Sequence, residues 1–494
     1  MNNYNELLKE LEIDYLLVNC TNKYLSEYPE LSENTRYKLT GFSGSTGDAL
    51  ISKDNIYLFV DGRYHIQADL EVKPEIKVIK LQIGQSQDDE IKNHINKNKI
   101  LGIVGKKISQ ARLEKYNGYK IKLLNNDPIN DYTEVHNNIP QKAFEPVKYT
   151  PEPTLITNLE EVSYLTGLRD FTKNNTSKIW SKLFINKDQR ILFSDDNACD
   201  EFLSTFEYKL NVDKNSINAH DYSLIKNPVN KPSDVKFMKS VKSETELEAY
   251  KEAFNCTDKS VMAIRDFIEN NDNLTEYEIA KQLEKEYIRF GAKSLSFNSI
   301  VAFNKNSAQA HYSRYSKDIM LKDGDLVLID SGAYYESGLA TDITRVFVKG
   351  KPTELQKEVY TTVLKAFLNC FFKFNRNTTG IKIDSEAHRL LDNKIHGFKF
   401  NHGLGHGIGI NVHENPPSLS QSESGNAKIV DGMCYTIEPG LYNPEHFGVR
   451  LENSCYRKNG KTYSFVNMGY EGKLIDYSLL TEQELNWLNE FKIL

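Results

Sequence analysis

Apolar residues recur along this chain with two periods, and where the period changes the chain changes character. Near the start, Tyr4 to Leu11 carries apolar positions at helical spacing, and Tyr15 to Val18 is a short apolar run suited to a buried strand. Strands are expected again at Ala49 to Ser52 and Ile56 to Val60, so the opening stretch reads as an α/β domain. The pattern breaks from Asn125 to Asn138, rich in Asn and Asp. It stays broken from Pro140 to Pro153, where four prolines disfavour helix and fit an extended connection.

A second, smaller α/β segment follows, with strands at Thr154 to Ile156, Lys182 to Ile185 and Arg190 to Phe193 and a helix at Asn158 to Leu165, fading from Asp221 to Pro232. Ser243-Glu-Thr-Glu246 is then a capping box. Leu247, Tyr250, Phe254, Val261, Ile264 and Ile268 recur behind it at mostly helical spacing, which predicts a long amphipathic helix. Thr275-Glu-Tyr-Glu278 starts a second helix with Ile279, Leu283 and Tyr287 on one face, and beyond it apolar strands and glycine turns run to about Arg457. The expected domains are residues 1–138, 139–238 and 239–494.

Composition agrees with several soluble domains, since 494 residues exceed one ordinary core. A formal net charge of −6 lacks the basic excess of a nucleic-acid binder, so nucleic acid is not an expected partner. No run reaches membrane-spanning length, and Met1 to Cys20 lacks the basic-then-apolar order of a signal peptide. The six cysteines contain no CxxC pair, which fits reduced thiols and a cytoplasmic location.

The candidate chemistry lies in the last domain. The run Asp325-Leu-Val-Leu-Ile-Asp330 ends a strand in a carboxylate, and the chain returns through Thr341-Asp342-Ile-Thr-Arg345. An antiparallel hairpin would set Asp330 and Asp342 side by side, where like charges repel unless a cation lies between them; two turn-flanking aspartates are the equally weighted alternative. His402-Gly-Leu-Gly-His406-Gly-Ile-Gly409 holds so many glycines that its backbone must pass close to a ligand or another strand. His406 is its ligand candidate, with His402 and His413 placed to touch substrate. Glu438, before Pro439-Gly440, and Glu452, after Gly448-Val-Arg-Leu, each interrupt an apolar strand. A buried acid of this kind needs ligation or a salt bridge, here to Arg345 or Arg450. Four carboxylates and one imidazole suit a pair of divalent cations and metal-assisted hydrolysis. Gly41 to Gly47 lacks the Lys-Ser/Thr ending of a phosphate loop, and Gly403 to Ile408 lacks the βαβ setting of a dinucleotide site, so neither supports nucleotide binding.

Taken in order, Ser296-Phe-Asn-Ser-Ile, Ala310-His-Tyr312, Leu328-Ile-Asp-Ser-Gly332, Thr341-Asp-Ile-Thr-Arg345, His402-Gly-Leu-Gly-His406, Val412-His-Glu414, Ile437-Glu-Pro-Gly440 and Gly448-Val-Arg-Leu-Glu-Asn453 resemble the pita-bread metallopeptidases. The resemblance is to the three-domain cytosolic Xaa-Pro aminopeptidases in particular. Thr40 to Gly47 and Val60-Asp-Gly-Arg-Tyr64 are similar to that family's creatinase-type first domain. It implies two creatinase-type α/β domains before an α+β pita-bread domain, and two divalent ions, Mn²⁺ first with Co²⁺ or Zn²⁺ as alternatives. The implied ligands are Asp330, Asp342, His406, Glu438 and Glu452, and the implied substrate contacts are His311, His402, His413 and Arg450. Glu438 is the expected proton shuttle, with His402 or His413 the expected donor to the tetrahedral oxyanion.

The implied substrates are peptides beginning Xaa-Pro and the implied assembly is a homodimer; composition and hydropathy add the expectation of no membrane or nucleic-acid partner. Asp330 and Asp342 are one position further apart than is usual in the family, which predicts an extra residue around Ser337 to Ala340. The rival within the family is prolidase, which must bind a free carboxylate and usually carries an arginine where this chain has only Lys428 between His413 and Asp431. A rival of another class is a non-catalytic pita-bread module that binds peptides or proteins.

Overall fold

The apolar run Tyr15–Val18 lies inside a six-stranded sheet ordered Lys77–Lys80, Ile56–Val60, Ala49–Ile51, Tyr15–Val18, Ile100–Val104, Lys120–Leu124. It runs antiparallel to Ala49–Ile51 and parallel to Ile100–Val104. Leu16, Leu17 and Val18 are all buried, as a strand covered on both faces requires, so the run shows no alternation. The computed structural model describes residues 2–27, 29–82, 84–130, 138–374 and 377–494. Part of the Asn-rich break, residues 131–137, lies outside the described residues.

A second, five-stranded sheet is ordered Arg190–Phe193, Lys182–Ile185, Thr154–Ile156, Leu210–Val212, Pro228–Asn230. Both sheets belong to one compact unit made of Met1–Asn138, Pro146–Thr166 and Ile179–Ser233. The other unit comprises Ile139–Glu145, Gly167–Lys178 and Asp234–Leu494. The predicted helices at Tyr4 to Leu11 and Asn158 to Leu165 form as Asn2–Glu10 and Leu159–Thr166.

In the second unit both predicted capping boxes are present: Ser243 with Glu246 opens the helix Glu244–Asn270, and Thr275 with Glu278 opens Glu276–Arg289. Each satisfies two backbone N–H groups that the first helical turn leaves without partners. The principal sheet is antiparallel, in the order Ile300–Phe303, Leu326–Ser331, Ile343–Val348, Glu452–Lys458, Cys434–Ile437, with Lys461–Ser464 also paired to Glu452–Lys458. Leu326, Leu328, Val346 and Val348 join one apolar cluster with Val359 and Phe367 of the helix Glu354–Phe372 and Leu391 of the helix Gly380–Leu391. Side chains two apart share a face of a strand. Asp330 therefore continues the row of Leu326 and Leu328, and Thr344 and Asp342 continue the row of Val346 and Val348, so rows that begin as core end in polar groups. On the opposite face the Ser331 hydroxyl meets the Tyr287 hydroxyl at 2.8 Å. The connection from Asp330 to Asp342 turns at Gly338, whose φ of +62° is a left-handed conformation that favours glycine. The Ser177 hydroxyl donates to the Gly338 carbonyl at 2.6 Å.

Candidate metal centre

Strand register builds the centre. Asp330 lies opposite Thr344, and Thr344 lies opposite Glu452, so three strands align these residues across one face. Asp342 is therefore the diagonal neighbour of Asp330, and the residue directly opposite Asp330 is Thr344. The Thr344 hydroxyl donates to Glu452 Oε2 at 2.8 Å. Glu438 follows the strand Cys434–Ile437, and its backbone N–H bonds the Leu404 carbonyl at 2.8 Å, tying it to the glycine-rich segment.

His406 enters on the two-residue strand Gly405–His406. A Cβ at Gly405 would fall 2.2 Å from the Thr436 carbonyl oxygen, so glycine lets this backbone approach the central sheet. The His406 backbone N–H donates to the Thr436 hydroxyl at 3.1 Å. His406 Nδ1 faces the Gly407 carbonyl at 3.0 Å, and a carbonyl only accepts, so in the neutral ring Nδ1 carries the proton and Nε2 keeps its lone pair. That nitrogen lies 3.4 Å from Glu438 Oε1 and 3.6 Å from Asp342 Oδ2.

The remaining predicted residues surround this group. Arg450 pairs with Asp330 Oδ2, donates from Nη1 to the Tyr442 hydroxyl at 2.8 Å and from Nε to the Thr344 hydroxyl at 3.2 Å. The Tyr442 hydroxyl lies 2.8 Å from His402 Nε2, giving a chain from His402 through Tyr442 and Arg450 to Asp330. The His413 ring stands nearly perpendicular to that of His406, with centroids 4.3 Å apart. His311 follows Ala310, whose carbonyl accepts from Arg450 Nη2 at 3.4 Å. Arg345, the other candidate salt-bridge partner, bonds the carbonyls of Glu452, Met468 and Gly469 and the Asn453 side chain, and leaves the site's carboxylates to Arg450 and Thr344. Sequence reasoning passes over Thr344, Thr436 and Tyr442. Gly440 makes room for the last of these, since a Cβ there would sit 2.3 Å from the Tyr442 hydroxyl.

Electrostatics show what the group lacks. Asp330 Oδ1, Asp342 Oδ1 and Glu452 Oε1 are buried without a hydrogen-bond donor. Burial, together with the neighbouring carboxylates, drives Asp342 and Glu438 well above the usual carboxylate range and pushes Glu452 up to about 8. Donor atoms of Asp342, His406 and Glu452 lie within 4.8 Å of one another. Undonated carboxylate oxygens with one imidazole lone pair are a fit for divalent cations. Among the described residues one other group has metal-binding composition, Asp200, His220 and Asp221. There the Lys182 ammonium lies 2.6 Å from Asp221 and already occupies the place of a cation beside that carboxylate, and His220 Nε2 lies 3.2 Å from Asp200.

Residues 248–458, which carry every one of these donors, match metallopeptidase family M24. That segment is an M24 metallopeptidase domain. Ahead of the M24 domain, residues 1–134 match the creatinase/prolidase N-terminal domain. Xaa-Pro aminopeptidase 1 of Dictyostelium discoideum is 27% identical, over 98% of this chain and 90% of its own length. A probable Xaa-Pro aminopeptidase P of Laccaria bicolor is 26% identical, over 98% of this chain and 88% of its own. Among solved structures, the X-prolyl aminopeptidase of Caenorhabditis elegans, described as a cytosolic enzyme with a di-nuclear active site, aligns with a TM-score of 0.85 over 97% of this chain and 90% of that one. At 20% identity that likeness is one of fold.

Proposed function

We propose that this chain is an M24 metallopeptidase, an Xaa-Pro aminopeptidase releasing the first residue from peptides with proline in the second position. The observation that carries the reading is the end-to-end match, 98% of the chain, to relatives bearing that name, with all five candidate donors present. We assign Asp330, Asp342, His406, Glu438 and Glu452 to hold two divalent ions. Manganese fits four hard carboxylates and one imidazole best, and cobalt or zinc accepts the same set. Bound there, the ions supply Lewis acidity toward the scissile carbonyl and lower the pKa of a water toward about 7.

The protein's own groups do the rest. Glu438 accepts a proton and delivers it to the departing proline nitrogen, which as a secondary amine needs one to leave. His413 or His402 donates a hydrogen bond to the oxygen that gains charge, and His311 contributes to the substrate's surroundings. Arg450 spends its donors on Asp330, Thr344 and Tyr442, so its assigned part is to orient Asp330 and, through Tyr442, His402. A cytosolic homodimer belongs to the same proposal; all six cysteines are unpaired thiols, which supports a reducing compartment. No helix among the described residues is long and apolar enough to cross a membrane.

Peptide choice tests the reading. Between His413 and Asp431 the chain offers Lys428 and no arginine, so a free carboxylate directly after proline has no guanidinium there. Metal-replete protein is expected to cleave Arg-Pro-Pro at least ~10-fold faster than Xaa-Pro dipeptides, a difference of about 1.4 kcal/mol. Faster dipeptide cleavage would make it a prolidase, and cleavage of neither, with metals verified, would favour a binding module.

A further inference from the structure

Behind His413 lies a buried charge cluster that none of the assigned roles uses. Glu414, the next residue, is buried, and its Oε1 lies 3.1 Å from Lys239 Nζ and 3.2 Å from Lys242 Nζ, both buried as well. Its Oε2 accepts from the Asn411 backbone N–H at 3.3 Å. The Asn411 side chain in turn donates from Nδ2 to the His413 carbonyl at 2.9 Å and accepts from Lys178 Nζ at 3.1 Å. The Glu414 backbone N–H closes the loop onto the Gly407 carbonyl at 2.8 Å, one residue beyond His406. A Cβ at Gly409 would fall 2.1 Å from Glu414 Oε1, so the loop is shaped around this carboxylate.

We propose that Glu414, gripped by Lys239 and Lys242, is a positioning residue that holds His413 against His406. Charged hydrogen bonds in a buried setting fix an orientation more stiffly than apolar packing does. Burial would raise the Glu414 carboxyl, and the two lysines instead hold it down to about 2, so it stays ionised and the grip persists through the working pH range. Lys239 and Lys242 come from the chain just ahead of the long helix Glu244–Asn270, and Lys178 from the segment Gly167–Lys178, so two separate stretches converge on one loop. The proposal rests on the reading of His413 as a residue that contacts substrate.

A double-mutant cycle on the full chain tests it. Glu414→Gln is expected to lower kcat on an Xaa-Pro-Xaa tripeptide by about 10²-fold, the order of loss that a 1 Å misplacement causes. KM should stay within about threefold and metal content should be unchanged. In a His413→Ala background the same change should cost less than about threefold, because its effect passes through the missing ring. An equal loss in both backgrounds overturns the proposal. If Glu414→Gln fails to fold, having stranded two buried ammonium groups, Asn411→Ala removes the bond to the His413 carbonyl while keeping both ion pairs. That variant should show a fall of about 10-fold with the same non-additivity. Its crystal structure should show the His413 ring displaced from its 4.3 Å contact with His406, and a ring left in place would overturn the idea. Should the parent protein cleave neither peptide class, the functional reading fails, and that crystal structure alone decides the positioning role.

Discussion

Glu452 condenses the argument at the scale of single residues. Burial, and then the adjacent Asp330, push its carboxyl up to about 8 from an ordinary 4.5, despite the Thr344 hydroxyl and Arg450 pulling the other way. An acid raised in the folded state binds more protons folded than unfolded, so the contribution of Glu452 to the stability of the metal-free protein falls as pH rises from 4.5 toward 8. Cation ligation needs the ionised form, and a cation relieves the repulsion, so stabilisation by metal must grow through that same window. The rise in Tm on saturating metal-free protein with Mn²⁺ should therefore be larger at pH 8 than at pH 6. Equal shifts, or a larger one at pH 6, would mean that the carboxylate cluster does not receive the ion.

At the scale of elements, the turn between Asp330 and Asp342 depends on Gly332. A Cβ there would sit 1.8 Å from the Thr341 carbonyl oxygen and 2.5 Å from Ser296 Oγ, so no side chain fits without opening the hairpin. Gly332→Ala should cost about 1–3 kcal/mol or more of stability, as overpacking does, and should lower metal content by moving Asp342 away from Asp330. Denaturant midpoints with elemental analysis check this; parental values in both would contradict it. The helices Glu244–Asn270 and Glu276–Arg289 are legible in the sequence because a capping box and an apolar stripe are local signals. The same signal at Thr353 with Gln356 and at Thr481 with Glu484 also starts helices, and was there to be read. The candidate donors are legible as residue types interrupting apolar strands, whereas the alignment of Asp330, Thr344 and Glu452 is not, since register depends on partner strands far apart in the chain. Nothing local marks Gly167–Lys178 as belonging with the C-terminal unit; bonds such as Ser177 to the Gly338 carbonyl place it there.

For the whole molecule, the family resemblance implies a homodimer, and light scattering at micromolar concentration should give twice the 56.7 kDa chain mass. A monomer would contradict that part alone and leave the chemistry intact. The proposed function requires five side chains from separate strands and turns to form a two-ion hydrolytic centre for Xaa-Pro peptides. Its most direct test is to strip the protein with chelator, verify that it is metal-free, and titrate Mn²⁺ while following both bound metal and release of the first residue from an Xaa-Pro-Xaa tripeptide. Activity should be lost on stripping and return as two ions bind per chain, while Asp342→Ala should bind fewer and turn over on the order of 10³-fold more slowly. Full activity in the verified metal-free protein would contradict it.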